Sequence, residues 1–228
     1  EYVEGVASRF ASSRPERPGL CAAIVSHADL FLGDRVGETL EAHLAASPRF
    51  RGIRQSTAWD AFPGALHAGA TTRAGMLSEA RFQTGFARLA PLGVSFDAWL
   101  YHPQIPELTA LARRFPQTTI VLDHFGGPLG VGPYAGRRGE IFAEWKKSLA
   151  DLASCPNVYV KLGGLVMEPM GFGFSARPAP PSSEDLARET RDYHLHAIDQ
   201  FGPERCMFES NFPVDKLSCS YVVLWNAF

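Results

Sequence analysis

The sequence predicts an α/β fold in which a parallel sheet is covered by helices. Three observations carry this expectation: short apolar runs recur along the chain, stretches with apolar spacing near 3.6 residues alternate with them, and polar turn segments separate the two kinds. Strand and helix in strict alternation is the pattern of βαβ units, whose strands lie parallel.

Taken in order, the strand candidates are 2–7 (YVEGVA), 21–26 (CAAIVS), 50–56 (FRGIRQS), 95–101 (SFDAWLY), 118–123 (TTIVLD), 157–162 (NVYVKL) and 205–210 (RCMFES). Between them, 34–46, 77–89, 106–115, 139–154 and 182–201 carry apolar residues at helical spacing. Pro106 and Ser182 suit helix starts, and Gly93 and Gly202 suit helix ends. Seven strands so arranged admit a closed eight-stranded barrel or an open doubly wound sheet. No G-x-G-x-x-G follows the first full strand, which removes support for a dinucleotide-binding open sheet. The connection 166–181 (VMEPMGFGFSARPAPP) exceeds a routine turn; it reads either as a loop over the mouth of a site, with Phe172 and Phe174 facing substrate, or as a surface insertion. With no repeat or low-complexity linker, the expectation is one domain over 1–228.

Composition narrows the function classes. The 228 residues are 46% hydrophobic and 20% charged, enough to bury a large core. Lys and Arg total 22 against 24 Asp and Glu, a formal net charge of −2, which argues for a small-molecule substrate and against nucleic acid or an anionic membrane surface. Cys21, Cys155, Cys206 and Cys219 stand far apart and read as reduced thiols of a cytoplasmic protein. No apolar run is long enough to cross a membrane, and the first residues lack a signal-peptide pattern. The chain begins without Met and ends in the amphipathic stretch 224–228 without a stop signal, so both ends read as cuts.

Polar residues collect where such strands end, the rim at which α/β barrels build their sites. Three strands end in histidine: His27, His102 and His124. Imidazole titrates near neutrality and binds divalent metals, so these three are expected to converge, while His43 and His67 have no such placement. His194-Leu195-His196 spells H-x-H but lies inside a helical stretch, where i and i+2 diverge. Arg54 and Lys161 are cations within otherwise apolar strands. Each reads as a substrate-binding charge; for Lys161 an internal ion pair with Glu209 or Asp97 is an equal alternative. Glu209 and Asn211 share a strand parity, so a carboxylate able to take a proton from water and an amide able to orient it are expected on one face.

LDHFGGP at 122–128, Tyr101-His102-Pro103-Gln104 and FESNFPVDK at 208–216 resemble the second amidohydrolase family, metal-dependent TIM-barrel hydrolases that include sugar lactonases and pyrone-dicarboxylate lactonase. The resemblance covers essentially the whole chain and implies a (β/α)8 barrel, incomplete here, with the first strand and the end of the last helix missing and 2–7 as the remains of strand two. It implies that His124 is the sixth-strand histidine and His102 the fifth-strand one, candidate ligands for a divalent metal such as Zn²⁺ whose H-x-H partners are absent. Some lactonases of the family are metal-independent, so a metal-free mechanism stands beside the metal-dependent one. The family's eighth-strand Ser-Asp is Ser210-Asn211 here, so either the general-base role passes to Glu209 or Asp215 or the metal-assisted step is lost. The implied function is hydrolysis of a cyclic ester bearing a carboxylate or hydroxyls, with His124, His102, Glu209 and Asn211 in the chemistry and Arg54, His27 and Lys161 on the substrate. The alternatives are a metal-dependent non-oxidative decarboxylase of the same superfamily, and a non-catalytic binding protein or inactive fragment.

Overall fold

The computed structural model describes residues 1–13, 21–66 and 70–228. Six strands form one sheet in the order β1 (Ile24–Ser26), β2 (Phe50–Ser56), β3 (Ser95–Trp99), β4 (Ile120–Leu122), β5 (Val158–Leu162) and β6 (Cys206–Phe208). Every neighbouring pair is parallel, and no strand is skipped. Among the described residues no ladder joins β6 back to β1. His67 lies outside the described residues.

The helices follow the alternation: α1 (Tyr2–Ser13), α2 (Val36–Ala46), α3 (Ala80–Phe86), α4 (Ile105–Arg114), α5 (Arg138–Ala153), α6 (Ser183–Phe201) and α7 (Tyr221–Ala227). Ser182 caps α6 by accepting the Asp185 N–H while Asp185 accepts the Ser182 N–H, and Gly202 ends it at φ 75°. None of the described helices is long and apolar enough to cross a membrane.

The strand expected at 2–7 is instead the start of α1. Val3, Ala7 and Phe10 stand at i, i+4 and i+7, a helical spacing; Ala7 is buried, and Ser8 donates to Glu4 one turn earlier at 2.9 Å. Glu4 also anchors the helix to the start of β2 through Ser47 and Arg49. Six residues were too few to separate alternation from the helical period.

Strand parity sorts the side chains into two layers. One face carries Ile53, Phe96, Ala98, Ile120, Leu122, Val158, Val160 and Leu162, all packed with the helices in the main core. Trp145 of α5 seals that layer, donating its indole N–H to the Phe125 carbonyl at 2.7 Å. The opposite face carries Arg54 paired in register with Asp97, and Lys161 opposite Met207. The second face is therefore polar at its centre, and the site begins there.

Candidate active site

The charged residues of the inner face form one connected chain of contacts. Lys161 Nζ lies 2.5 Å from Asp97 Oδ2 and 2.8 Å from Asp123 Oδ1. Arg54 Nε meets the other oxygen of Asp123, Oδ2, at 3.1 Å. The same guanidinium presents Nη2 to His124 Nε2 at 3.2 Å, and His124 Nδ1 reaches Glu209 Oε1 at 2.5 Å. The order is thus Asp97, Lys161, Asp123, Arg54, His124, Glu209, drawn from β2, β3, β5 and the turns after β4 and β6.

Burying charges of this kind costs several kcal/mol each unless partners replace the lost water. Asp97, Asp123 and His124 are buried, and each has such a partner. Burial pulls the Lys161 ammonium down, but Asp123 and Asp97 outweigh it and hold it above its ordinary value. Arginine has donors only, so His124 Nε2 accepts from Arg54 and the ring proton sits on Nδ1, facing Glu209. The side chain of Arg54 is 39% exposed and that of Glu209 17%, against 2% for His124, so an incoming molecule meets the guanidinium and the carboxylate first.

The turn after β4 makes this possible. His124 and Phe125 take left-handed backbone at φ 53° and 58°, followed by Gly126 and Gly127 at 67° and 48°. Such a run strains non-glycine residues by roughly 1–3 kcal/mol each. It swings the imidazole beneath the edge of Trp99, ring centroids 4.8 Å apart, and up to Glu209.

The three strand-end histidines do not converge. His102 opens a 3-10 turn, His102–Gln104, that folds it away: its Nδ1 accepts the Leu129 N–H at 3.2 Å and its ring packs edge-on to Tyr134. Burial pushes its pKa down to about 4, against a smaller upward pull from the Gly127 carbonyl and Asp60, so it serves as a neutral core residue. His27 is exposed on edge strand β1's exit, with Nδ1 3.0 Å from the Arg54 carbonyl, and lines a cavity of about 840 Å³ with Asp29, Gln55 and Arg81. Lys161 makes the expected ion pair with Asp97 rather than Glu209, and Asp123 is a second carboxylate on it.

Asn211 departs from the parity argument because β6 ends at Phe208 and Asn211 turns left-handed at φ 50°. Its amide donates to Asp215 Oδ1 at 2.8 Å. Phe172 and Phe174, the expected substrate-facing pair, stack on each other in apolar packing, with Phe174 buried and Arg138 over the Phe172 ring. His194 and His196 lie on α6, with His194 Nδ1 bonded to the Thr190 carbonyl at 3.0 Å. Asp123 and Trp99 escaped the sequence reading as site residues; the only signal for Asp123 was a charge ending an apolar run beside His124.

His102 and His124, the expected metal pair, take separate hydrogen-bond partners: the Leu129 N–H for His102, and Arg54 and Glu209 for His124. Among the described residues no three His, Cys, Asp or Glu side chains gather into a set able to hold a metal ion. His124 Nε2, the atom a metal would need, faces a cation instead. The residues present do not fit a resident divalent metal.

Comparison with known proteins bears on this geometry. A family model described as Amidohydrolase matches residues 8–228. Protein y4mH of Sinorhizobium fredii is 36% identical over the whole of this chain, which covers 66% of that protein. L-fucono-1,5-lactonase of Burkholderia ambifaria is 30% identical over 92% of this chain, which covers 62% of the lactonase. The chain therefore spans somewhat less than two thirds of these relatives' length. A zinc-bound crystal structure of an amidohydrolase from Burkholderia multivorans superposes with a TM-score of 0.69 at 26% identity, covering 96% of this chain and 66% of that one.

Proposed function

The chain belongs to the amidohydrolase family, and from that premise we propose that the whole protein hydrolyses a small cyclic ester bearing a carboxylate or hydroxyls. The observation that carries this reading is the Glu209–His124–Arg54 relay at the strand ends. The L-fucono-1,5-lactonase relative supports the ester class. The same reading takes the six parallel strands as consecutive members of a (β/α)8 barrel, supported by their unbroken order.

Arg54 is the group that meets the substrate. Its guanidinium donates to the carbonyl oxygen or a neighbouring carboxylate, while Asp123 keeps it oriented through Nε. Once Nη2 turns to the substrate, His124 Nε2 is free to accept a proton from water. The water oxygen bonds to the carbonyl carbon, and the Glu209 carboxylate stabilises the imidazolium across Nδ1. Collapse breaks the ring C–O bond, and the imidazolium returns its proton to the departing oxygen. The product is an open-chain hydroxy acid, and no step needs a metal.

The test is a panel of γ- and δ-lactones followed by the acid each releases, with chelator and with added Zn²⁺. At least one lactone is expected to turn over, with His124→Asn lowering kcat by roughly 10²-fold or more. No turnover of any lactone under either condition sinks the reading.

A further inference from the structure

Asp215 is fully buried, and none of the ion pairs among the described residues includes it. Its Oδ1 accepts the Asn211 amide at 2.8 Å, its N–H returns to the Asn211 carbonyl at 3.2 Å, and its own carbonyl accepts the N–H groups of Ser218 and Cys219. Oδ2 has no hydrogen-bond partner of ordinary geometry. A buried carboxyl with no cation on it costs stability, so its place calls for a reason.

The surroundings supply one. Asn211 sits at φ 50°, a conformation that short polar side chains tolerate when a local hydrogen bond holds them, and here that bond is the one to Asp215. Asn211 stands two residues after Glu209, so the turn it locks sets where the Glu209 side chain begins. Ser218 ties the far side of the same turn to the Val166 carbonyl at 2.6 Å. The connection leading to Val166 starts with Gly163 and Gly164, which pack directly on Glu209 and on the His124 ring.

We infer that Asp215 is a positioning residue: through Asn211 its carboxyl pins the left-handed turn that sets Glu209 against His124 Nδ1. The inference rests on the hydrolytic reading for its kinetic consequences, but not for its structural ones. Charge agrees with the geometry. Burial pushes the Asp215 pKa up to about 7, opposed by the Asn211 hydrogen bond, by His124 and by the Gly164 N–H, and assisted by Glu209; the Cys219 thiol is the remaining titratable neighbour. Below neutrality the carboxyl is uncharged, so Glu209 faces no second anion. Above it, a new negative charge arises beside the Glu209–His124 pair.

The experiment compares wild type with Asp215→Asn, Asp215→Ala and Asn211→Ala in the intact protein, reading the His124 ring nitrogens by ¹⁵N NMR at one alkaline pH. Wild type is expected to show a protonated Nδ1. Asp215→Asn, which still accepts from Asn211, keeps the tautomer. Asp215→Ala loses the fixed tautomer and, where a lactone turns over, lowers kcat roughly 10–100-fold with KM within about twofold. If Asp215→Ala does not fold, loss of the tautomer in Asn211→Ala, which removes the same hydrogen bond from its other end, supports the inference. Unchanged His124 signals in a folded Asp215→Ala or Asn211→Ala overturn it. The NMR readout stands when no lactone is hydrolysed, so failure of the hydrolytic reading and failure of this inference are separate results.

Discussion

His102 and His124 follow adjacent strands, β3 and β4, and differ in what their turns do with them. His124 is lifted by left-handed backbone into a polar contact chain, whereas His102 is folded under Tyr134 among apolar neighbours. The pKa of His102 therefore falls to about 4, below the roughly 6.5 of an unfolded chain. A depressed histidine favours folding above its unfolded value, and that contribution is lost as pH falls through the folded one. Wild type is expected to lose stability between about pH 6.5 and 4 more steeply than His102→Gln. Urea midpoints measured across that window decide it; parallel slopes for both proteins would mean that His102 is not buried neutral. Lys161 and Arg54 show the same dependence on surroundings. Both are strand cations, but only Arg54 keeps an exposed face beyond its carboxylate partner.

At the scale of an element, the turn that follows β5 governs the site. Gly164 has φ 80°, and a Cβ there would stand 2.7 Å from His124 Nδ1, closer than a real Cβ approaches any atom. Gly163 passes Glu209 just as closely, and a Cβ there would overlap the Glu209 carbonyl oxygen. This glycine pair lets the β5 exit pass directly behind the His124–Glu209 contact. Gly164→Ala is expected to displace the imidazole, adding the strain of a positive φ to the overlap. Activity on any accepted lactone should drop by roughly 10²-fold, with a fall in the thermal midpoint as well. An active, equally stable alanine variant would show that the close approach is not required. The helices behind the sheet contribute differently: Phe96, Leu122 and Val160 bury against them and make the sheet rigid, and this rigidity is what holds Arg54, Asp97 and Lys161 in register.

For the whole molecule, the two ends of the sheet, which no ladder joins among the described residues, matter most. Val25 on β1 and Met207 on β6 share the inner face and are 43% and 38% exposed. Phe208 on β6, and Leu217, Val222 and Trp225 after it in the chain, are exposed apolar side chains as well. Unpaired strand edges flanked by apolar side chains template further pairing. This chain alone is expected to self-associate at micromolar to millimolar concentration, with an apparent mass in sedimentation velocity that rises with concentration. Replacing Val222 and Met207 by Lys should reduce that rise. A chain that stays monomeric throughout the range would show the edges to be adequately protected.

The alternation of strands and helices was legible in the sequence because each element needs only its own period and its end signals. Phe50–Ser56 agrees to the residue, and α6 starts behind Ser182 and stops before Gly202 as its capping chemistry demands. The family was legible too, since LDHFGGP and FESNFPVDK are local strings, and His124 stood out as a strand-end histidine, Arg54 as a cation within a strand and Glu209 as a carboxylate in the last one. Which of them touch was not. Only the tertiary structure joined Arg54 to His124, placed Asp123 between Arg54 and Lys161, and sent His102 into the core. The physical reason is that strand parity ends with the strand: at His124 and Asn211 a left-handed residue redirects the side chain, and what holds that backbone in place is packing from segments distant in sequence.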